Sequence, residues 1–211
     1  MKNKLAIFDY CETLTLCQTA NQFLAQYAYV KLRLHKKVAA WVLVEMPIFS
    51  RIGYIKRSRK KWLVWLLKGE KQADIESFAE TTFLAWLIAR ENQTLKSELR
   101  HLQKLAFYTV ILSGGLAVYI RAHNQYLGAD LVIANELEFT NGEATGRILD
   151  KDCFGVEKVN RLRDKLALDS LDLKHSRAYS DCLTDLPMLE LVGEGFIVEK
   201  GTIRPLIPVV A

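Results

Sequence analysis

Short apolar runs that each stop at a polar residue recur along this sequence, and helical patterns separate them. The run Lys4–Asp9 ends at an acid, Phe107–Leu112 is followed by Ser113, and Arg177–Ser180 is followed by Asp181. Strands that alternate with helices build a parallel sheet whose two faces are both covered. The pattern therefore predicts an α/β fold, with a Rossmann-like parallel sheet core and helices on both faces.

The spacing of apolar residues and the turn signals place the remaining elements. Helices are predicted at Thr19–Leu34, Trp41–Phe49, Lys60–Leu67, Ile75–Ala89 with Asp74 as N-cap, Thr94–Lys104, Leu116–Tyr126, Val156–Leu166 and Pro187–Val192. Two more strands are predicted at Asp130–Ala134 and Gly195–Val198. Leu137–Ile148 has the pattern of a hairpin, because Asn141-Gly142 favours a tight turn between two strands.

Positive charge is concentrated in one part of the chain. The net charge is +5, but residues 31–71 hold twelve Lys and Arg against Glu45 and Glu70, a local charge of +10 that leaves −5 for the rest. This imbalance predicts two different structural units. The basic part also holds Trp41, Trp62 and Trp65. It is interpreted as a helical unit with a solvated lysine rim, as a surface for an anionic substrate or lipid, or as a nucleic-acid surface, although no recognised nucleic-acid motif supports the last.

Composition and cysteine spacing exclude several classes of protein. Half of the residues are hydrophobic and a quarter are charged, which does not fit a disordered or collagen-like chain. The best apolar stretch, Val38–Phe49, is too short for a membrane span and contains Glu45 and Pro47. The four cysteines form no Cys-x-x-Cys pair, and the first apolar stretch stops at Asp9 instead of forming a signal peptide. We therefore expect a reducing, cytoplasmic location.

Polar residues that follow the predicted strands are expected to meet at one edge of the sheet. Asp9, Ser113 and Asp181 each follow a strand, and Asp185 comes shortly after Asp181. In open parallel sheets, ligands bind outside the carboxyl ends of the strands. One aspartate at a strand end is usually structural, whereas the ordered set predicts a shared site. The histidines lie in no motif and are interpreted as structural or solvent-facing: His35, His101, His123 and His175.

Four motifs contain these polar residues. A strand runs into Asp9-Tyr10-Cys11-Glu12-Thr13-Leu14-Thr15, a second runs into Ser113-Gly114-Gly115, Lys158 lies on a helix, and Asp181 and Asp185 form a DxxxD pair. In this order the motifs resemble the haloacid dehalogenase superfamily, specifically its phosphoserine-phosphatase-like branch (subfamily IB). The segment Ala134–Phe139, with Thr145-Gly146 after it, is also similar to this branch. The resemblance covers residues 1–16 and 90–211.

The resemblance implies a hydrolase, a Mg²⁺-dependent phosphatase that acts on phosphomonoesters. Asp9 would attack phosphorus and form an aspartyl-phosphate. Asp9, Asp181 and the backbone carbonyl of Cys11 would hold Mg²⁺, a cation that prefers oxygen ligands, and Asp185 would support this metal site.

The resemblance also assigns the groups that bind the phosphoryl oxygens. They are the Ser113 hydroxyl, backbone N–H groups at Gly114 and Gly115, and the Lys158 ammonium, which together would stabilise the transferring phosphoryl group. Taken alone, Lys158 would be interpreted as a solvated helix lysine, and only its place in the ordered motifs favours the catalytic role.

Cys11 and Glu12 depart from the family pattern, which has an aspartate and a glycine at these positions. That aspartate is the general acid and base of the family, and a thiol has a reference pKa of about 8.5 against about 3.9 for Asp. Loss of a general acid or base typically costs about 10²–10⁴ in rate. Three outcomes stay open: Glu12 takes over the role, the substrate has a good leaving group such as an anomeric phosphate, or hydrolysis is slow and the protein is a phosphotransferase or a regulatory member.

Residues 17–89 lie where this branch inserts its cap, so the resemblance implies an all-helical cap on a core of residues 1–16 and 90–211. Such a cap closes over the core, excludes water and contacts the substrate beyond its phosphate. Because the segment is basic and rich in tryptophan, we expect a small-molecule substrate with a sugar-linked or lipid-linked phosphate. Its apolar pieces are interpreted as a peripheral membrane contact or a dimer interface. A non-hydrolytic, phosphate-binding member is the alternative function.

Overall fold

The structure is a computed structural model that describes residues 2–32, 34–45, 60–199 and 201–206. Within these residues, a six-stranded sheet has the order β3-β2-β1-β6-β7-β8. Its strands are β1 (Leu5–Phe8), β2 (Tyr108–Leu116), β3 (Leu131–Asn135), β6 (Arg177–Ser180), β7 (Glu194–Glu199) and β8 (Thr202–Pro205). All neighbours pair in parallel except β8, which runs antiparallel to β7. The predicted Rossmann-like α/β core is therefore confirmed.

Helices lie on both faces of this sheet, and a hairpin forms a separate antiparallel pair. In the described ranges the helices are α1 (Thr19–Lys31), α2 (Leu34–Glu45), α3 (60–65), α4 (Gln72–Phe78), α5 (Leu84–Ile88), α6 (Gln93–Lys104), α7 (Ala117–Leu127), α8 (Val156–Lys165) and α9 (Leu186–Leu189). The hairpin consists of β4 (Leu137–Thr140) and β5 (Glu143–Ile148). Asn141 and Gly142 at its turn both have positive φ, as a two-residue turn requires.

Each central strand is buried on both faces because its side chains alternate between two apolar layers. In β1, Leu5 and Ile7 face the layer that includes α8 and α9. Ala6 and Phe8 face the layer that includes α6 and α7. A parallel strand buried in this way has an uninterrupted apolar sequence, which accounts for Leu-Ala-Ile-Phe before Asp9. Among the described residues, no helix is long and apolar enough to cross a membrane.

The described residues within 17–89 share an apolar interior with the sheet. The ring of Phe23 in α1 lies 5.0 Å from that of Phe83 and 5.1 Å from that of Tyr119 in α7, measured between centroids. Main-chain hydrogen bonds of 2.8–2.9 Å also join residues 69–72 to residues 142–144 of the hairpin. Apolar contacts and backbone hydrogen bonds therefore both hold this segment against the core.

The helix predicted after an Asp74 cap begins earlier than predicted, so this prediction is wrong. It starts at Gln72, with Lys71 as its N-cap, and Asp74 lies inside the first turn. The reason is tertiary, because Lys71 is held in extended backbone by a bridge to Glu143 of the hairpin. A π-helical turn at Ala79–Phe83 then separates α4 from α5, where the sequence predicts one continuous helix.

Two further differences concern the ends of the described ranges. Of the predicted helix Trp41–Phe49, residues 41–45 belong to α2, and residues 46–49 lie outside the described part of the chain. The strand β8 has no counterpart in the prediction, because Thr202–Pro205 is too short and too polar to give a strand pattern. It forms only because Gly201, with φ of 83°, turns the chain back beside β7.

A stack of three aromatic rings crosses the centre of the sheet. Phe8, Tyr179 and Phe196 are register partners on β1, β6 and β7. Their ring centroids are 4.7 and 4.9 Å apart and the rings are nearly parallel. The Tyr179 hydroxyl also donates a hydrogen bond of 2.7 Å to Glu98 of α6. Because Asp9 directly follows Phe8, this stack fixes the position of the strand end that carries it.

We expect Tyr179→Ala to lower the free energy of unfolding by about 3–5 kcal/mol, because it removes a fully buried ring from this stack. Urea denaturation followed by circular dichroism measures the change. Tyr126→Ala is the matched control, since its side chain is 51% exposed, and its effect should stay within about 0.5 kcal/mol. Equal effects of the two substitutions would contradict the importance of the stack.

Candidate active site

The carboxyl ends of β1, β2 and β6 lie side by side, and the predicted site residues are found there. Asp9 follows β1, which pairs in parallel with β2 on one side and with β6 on the other. Lys158 reaches this edge from α8, and Asp185 reaches it from the short 3₁₀ turn Leu183–Asp185. The structure brings Lys158 into direct contact with both Asp9 and Asp185.

The ammonium of Lys158 lies between two carboxylates. Its Nζ is 2.6 Å from Asp9 Oδ1 and 2.5 Å from Asp185 Oδ2. The three side chains are 3%, 8% and 3% exposed in the order Lys158, Asp9 and Asp185, so Lys158 is not a solvated surface lysine. Burial opposes the charge, but the Asp9 and Asp185 carboxylates outweigh it and raise the pKa of Lys158. Lys158 therefore stays charged.

The pKa of Asp9 is raised, because burial disfavours its charge more than the Lys158 ammonium favours it. The Asp185 carboxylate acts in the same direction as burial. Two carboxylates thus share one ammonium in a site with little water, and a further positive charge would stabilise both of them in ionised form.

Two hydroxyl groups that the sequence analysis missed hold the acids of the DxxxD motif. The Ser180 hydroxyl donates to Asp185 Oδ2 at 2.7 Å. The Thr13 hydroxyl donates to Asp181 Oδ1 at 3.3 Å and accepts from the Asp181 N–H at 3.1 Å. Thr13 thereby connects the loop after β1 to the loop after β6. Thr13 stands inside the first motif and Ser180 directly precedes the DxxxD pair, and these positions were the available signal.

The acidic side chains of the site have the oxygen atoms that a hard divalent cation binds. Burial, followed by the Asp9 and Glu12 carboxylates, raises the pKa of Asp181 to about 7, so a cation beside Asp181 would favour its ionised form. Carboxylate and carbonyl oxygens at Asp9, Asp181 and Cys11 are the ligand type that Mg²⁺ prefers. Among the described residues, no three acidic, histidine or cysteine side chains are grouped closely enough to hold a metal as they stand. The ammonium of Lys158 occupies the space between Asp9 and Asp185.

The strand β2 extends further than predicted, through Ser113-Gly114-Gly115 to Leu116. The prediction that it ends at Leu112 is wrong, because Leu116 pairs with Asn135 of β3 after an irregularity in the register. The buried Ser113 hydroxyl oxygen accepts a hydrogen bond from the Gly115 N–H at 3.0 Å. A Cβ atom at Gly115 would lie only 2.5 Å from the Tyr119 hydroxyl, so only glycine fits there.

The carbonyl of Gly114 is held by two side chains from distant parts of the sequence. It accepts from Asn135 Nδ2 at 2.7 Å and from Lys60 Nζ at 2.6 Å. Both donors also contact Asp152 Oδ1, at 2.7 and 2.6 Å. The sequence analysis assigned no role to Asn135, Asp152 or Lys60 individually. Only Asn135 gave a signal, through the segment Ala134–Phe139. Lys60 lies in the basic segment, so its ammonium joins that segment to the Gly114 carbonyl in β2.

Cys11 and Glu12 differ in their surroundings. The Cys11 thiol lies 3.0 Å from the Thr19 hydroxyl, and burial together with the Asp9 carboxylate raises its pKa to about 11. It is therefore a neutral thiol at physiological pH. Glu12 is exposed, accepts a hydrogen bond from Gln18, and has φ of 56°. That left-handed backbone favours glycine, the residue of the family pattern, over Glu.

The sequence profile described as haloacid dehalogenase-like hydrolase matches residues 6–190 of this chain. The chain belongs to this family. The match spans all four motifs and the residues that hold them. The matched residues include Asp9, Lys158 and Asp185, the three side chains that meet at the carboxyl edge of the sheet.

Curated relatives of this hydrolase include phosphatases, and the chain spans only part of their length. It is 39% identical over 72 residues to a probable phosphatase of Mycobacterium tuberculosis, which is 34% of this chain and 25% of that protein. It is 25% identical over 194 residues to a phosphoserine phosphatase of Archaeoglobus fulgidus, which is 92% of this chain and 52% of that protein. The chain therefore spans a quarter to about half of these relatives.

Solved structures share the fold. A protein of unknown function from Bordetella pertussis Tohama I has a TM-score of 0.77 at 21% identity, with 94% of this chain and 91% of that chain covered. A phosphoserine phosphatase in the form of a phospho-aspartyl intermediate analogue has a TM-score of 0.62 at 19% identity, with 92% and 86% covered. At these identities, the likeness concerns the fold alone.

Proposed function

We propose that this hydrolase is a Mg²⁺-dependent phosphatase of phosphorylated small molecules that acts through an aspartyl-phosphate at Asp9. One observation carries the proposal: the Lys158 ammonium lies against both Asp9 and Asp185 in a buried position at the carboxyl edge of the sheet. A buried carboxylate with a cation beside it is suited to attack an anionic phosphoryl group, because the cation reduces the repulsion between them.

In the proposed reaction, Asp9 attacks phosphorus and the leaving oxygen departs on the opposite side. The Lys158 ammonium, the Ser113 hydroxyl and the Gly114 N–H bind the phosphoryl oxygens and stabilise the charge that spreads over them. The Gly115 N–H, which donates to the Ser113 hydroxyl oxygen in the structure, joins them once it turns from that oxygen to the phosphoryl group. Water then hydrolyses the aspartyl-phosphate and releases phosphate. Lys158 stays charged throughout because Asp9 and Asp185 raise its pKa.

The proposed metal ligands are Asp9, Asp181 and the backbone carbonyl of Cys11, with Asp185 in support. When bound, Mg²⁺ supplies positive charge beside the attacking carboxylate and the phosphoryl oxygens. The hydrogen bonds between Thr13 and Asp181 orient the Asp181 carboxylate for this role. The proposal is supported by the raised pKa of Asp181, which burial and then the negative charge at Asp9 and Glu12 produce.

We expect release of inorganic phosphate from at least one compound in a panel of sugar, amino-acid, nucleotide and lipid phosphates, and only when Mg²⁺ is present. Asp9→Asn should abolish turnover because an amide is not a nucleophile here. Lys158→Met should lower kcat by about 10²–10³-fold, because it removes one group that binds the transition state. The matched control is Asp164→Asn on the exposed face of α8, which should keep full activity. A folded protein that is inactive across the panel would contradict the proposal.

The alternative function, a phosphotransferase or a non-hydrolytic member, rests on Cys11. A thiol whose pKa is about 11 cannot supply the base that activates water, so hydrolysis of the aspartyl-phosphate would be slow. Glu12 is the other candidate for this role, but its carboxylate is exposed and bound to Gln18. A good leaving group would remove the need for an acid when Asp9 attacks phosphorus. It would not replace the base that hydrolysis of the aspartyl-phosphate requires.

Cys11→Asp is expected to raise kcat by about 10²–10⁴-fold, since it restores a general acid and base beside Asp9. Cys11→Ser is the matched control and should not raise it. Intact-mass spectra taken after mixing with substrate should reveal a phosphate adduct in the unmodified protein and less of it in Cys11→Asp. If Cys11→Asp leaves turnover unchanged and no adduct is seen, either Glu12 serves as the acid and base or the substrate has a good leaving group. Glu12→Gln separates these two explanations, because it should lower turnover only if Glu12 has that role.

We also propose that residues 17–89 act as a cap on the core formed by residues 1–16 and 90–211. This part of the chain supplies Lys60, whose ammonium reaches the Gly114 carbonyl beside the proposed phosphate site. Because the segment is strongly basic, the proposed substrate is a sugar-linked or lipid-linked phosphate with additional negative charge. Nucleic acid is not proposed as a partner, since no motif for it is present.

A peripheral contact with an anionic lipid surface is proposed for the same segment. Three side chains at helical spacing on one face of α2 are 76%, 54% and 62% exposed: Leu34, Val38 and Trp41. Trp62 and Trp65 of α3 are also more than half exposed. Aromatic side chains and lysines together favour the interface of a membrane with anionic lipids.

Sedimentation with vesicles of phosphatidylcholine and phosphatidylserine tests this contact. Substitution of Lys31, Lys37 and Lys61 by Gln should weaken binding by about 10²-fold, because each lysine near an anionic surface contributes about 1 kcal/mol. The matched control changes three exposed core lysines to Gln: Lys104, Lys165 and Lys174. Equal binding of all three proteins, or no binding to phosphatidylserine vesicles, would contradict the contact.

A further inference from the structure

Tyr10, the residue after Asp9, is fully buried and hydrogen-bonded at both ends. Its carbonyl accepts from the Thr15 N–H at 3.0 Å and from the Thr15 hydroxyl at 3.1 Å. Its hydroxyl lies 2.7 Å from Nδ1 of His123, a fully buried residue of α7. Nε2 of His123 lies 2.9 Å from Oε1 of Glu91, which is 5% exposed.

The protonation states along this path define the direction of each hydrogen bond. The Glu91 carboxylate can only accept a hydrogen bond, so Nε2 of His123 carries the ring proton. Burial lowers the pKa of His123, so its ring is neutral. Burial opposes the charge of Glu91, but hydrogen bonds from Lys96 and His123 outweigh it and lower the pKa of Glu91. The Tyr10 O–H therefore donates to Nδ1, and the Nε2–H donates to the carboxylate.

Both ends of the path lie in the two connections between the core and residues 17–89. Thr15 and Glu91 form an antiparallel bridge. On either side of it, the Leu16 N–H donates to the Arg90 carbonyl at 2.8 Å, and the Asn92 N–H donates to the Leu14 carbonyl at 2.9 Å. Tyr10, Thr15, Glu91 and His123 thus form a closed circuit of contacts, which we call the linker ring.

We propose that His123 is a positioning residue, which through the linker ring holds Tyr10, and with it the Asp9 carboxylate, at a fixed place relative to the two linkers. The inference rests on the proposed function, in which Asp9 is the nucleophile. On its other side, Asp9 is held by its N–H, which donates to the Tyr179 carbonyl at 2.9 Å. The linker ring supplies the second anchor of the loop after β1, which we call the nucleophile loop. Because the ring includes both linkers, a movement of residues 17–89 would also move this loop.

Hydrogen bonds are better suited to this role than apolar packing. A phenylalanine pair at positions 10 and 123 would fill a similar space without the cost of burying polar groups. Hydrogen bonds have defined directions, so they fix the orientation of the Tyr10 side chain more narrowly than apolar contacts alone would. The position of a reacting group matters, because a displacement of about 1 Å can cost about 10²-fold in rate.

Hydrogen exchange tests the anchor without relying on activity. In His123→Phe, the amides of Thr15, Leu16 and Asn92 should exchange at least about fivefold faster, since one lost hydrogen bond of about 1 kcal/mol corresponds to that factor. The exchange rates of the amides that are hydrogen-bonded between β7 and β8 should not change. Leu102→Ala creates a cavity at a buried residue of α6 outside the linker ring, so it is the control for general destabilisation. Tyr10→Phe removes only the hydroxyl and serves as the second variant, for the case in which His123→Phe does not fold.

Kinetics then distinguish positioning from stability. With the best substrate of the panel, His123→Phe and Tyr10→Phe should lower kcat by about 10–100-fold, with KM changed by less than about twofold, because substrate contacts are unaffected. His123→Gln, whose amide has both a donor and an acceptor, should restore part of the loss. Lys96→Gln removes the charge beside Glu91 but leaves the contact between Glu91 and His123, so kcat should stay near its original value.

Two results would overturn the inference. One is unchanged exchange of the linker amides in both His123→Phe and Tyr10→Phe. The other is a loss of kcat no larger than that of Leu102→Ala when both proteins are fully folded. If the unmodified protein releases no phosphate from any compound, the proposed function fails, and the exchange experiment alone decides whether His123 anchors the nucleophile loop.

Discussion

One buried ammonium shared by two carboxylates is the interaction on which this site depends. Charges are costly to remove from water unless they are paired and hydrogen-bonded. Lys158 meets that condition with Asp9 and Asp185, and the Ser180 hydroxyl adds a further hydrogen bond to Asp185. The pairing keeps Lys158 charged and leaves the acidic side chains with an excess of negative charge. An excess of this kind favours the binding of a cation in the same space.

The fold brings these charges together from distant parts of the chain. Lys158 and Asp9 are 149 residues apart in sequence. They meet because β1 lies between β2 and β6, all three strands are parallel, and their carboxyl ends share one edge. The stack of Phe8, Tyr179 and Phe196 holds the register of this part of the sheet. Because Asp9 directly follows Phe8, the sheet also restricts the position of Asp9.

The loop after β1 combines a strong anchor with an unusual chemical group. Within this loop, Tyr10 is fixed by a hydrogen bond with His123, and Thr13 is fixed by a hydrogen bond with Asp181. Between them, Cys11 takes the place where the family has an acid, and its thiol stays neutral because burial and the Asp9 carboxylate raise its pKa. The residue proposed as the nucleophile is therefore held firmly, while the group beside it that would assist hydrolysis in the proposed mechanism has changed.

Local patterns in the sequence were sufficient for the parallel sheet, for the hairpin turn at Asn141-Gly142, and for the order of the four motifs. Apolar alternation and turn preference act between near neighbours, so they can be recognised without knowing the fold. The same patterns failed at Asp74, where a bridge from Lys71 to Glu143 moves the start of the helix, and at β2, where pairing with β3 carries the strand past Leu112.

Asp9, Ser113, Lys158, Asp181 and Asp185 were predicted as site residues from sequence because each stands in a motif with fixed spacing. Residues that act through a partner gave almost no such signal. His123 was interpreted only as structural or solvent-facing, and Lys60 and Asp152 had no assigned role. Their hydrogen bonds join segments that are 32 to 113 residues apart. The sequence by itself thus determined the strands and the chemical groups at their ends. Only the tertiary structure decided which side chains hold those groups in place, because contacts between distant segments leave no periodic pattern in the chain.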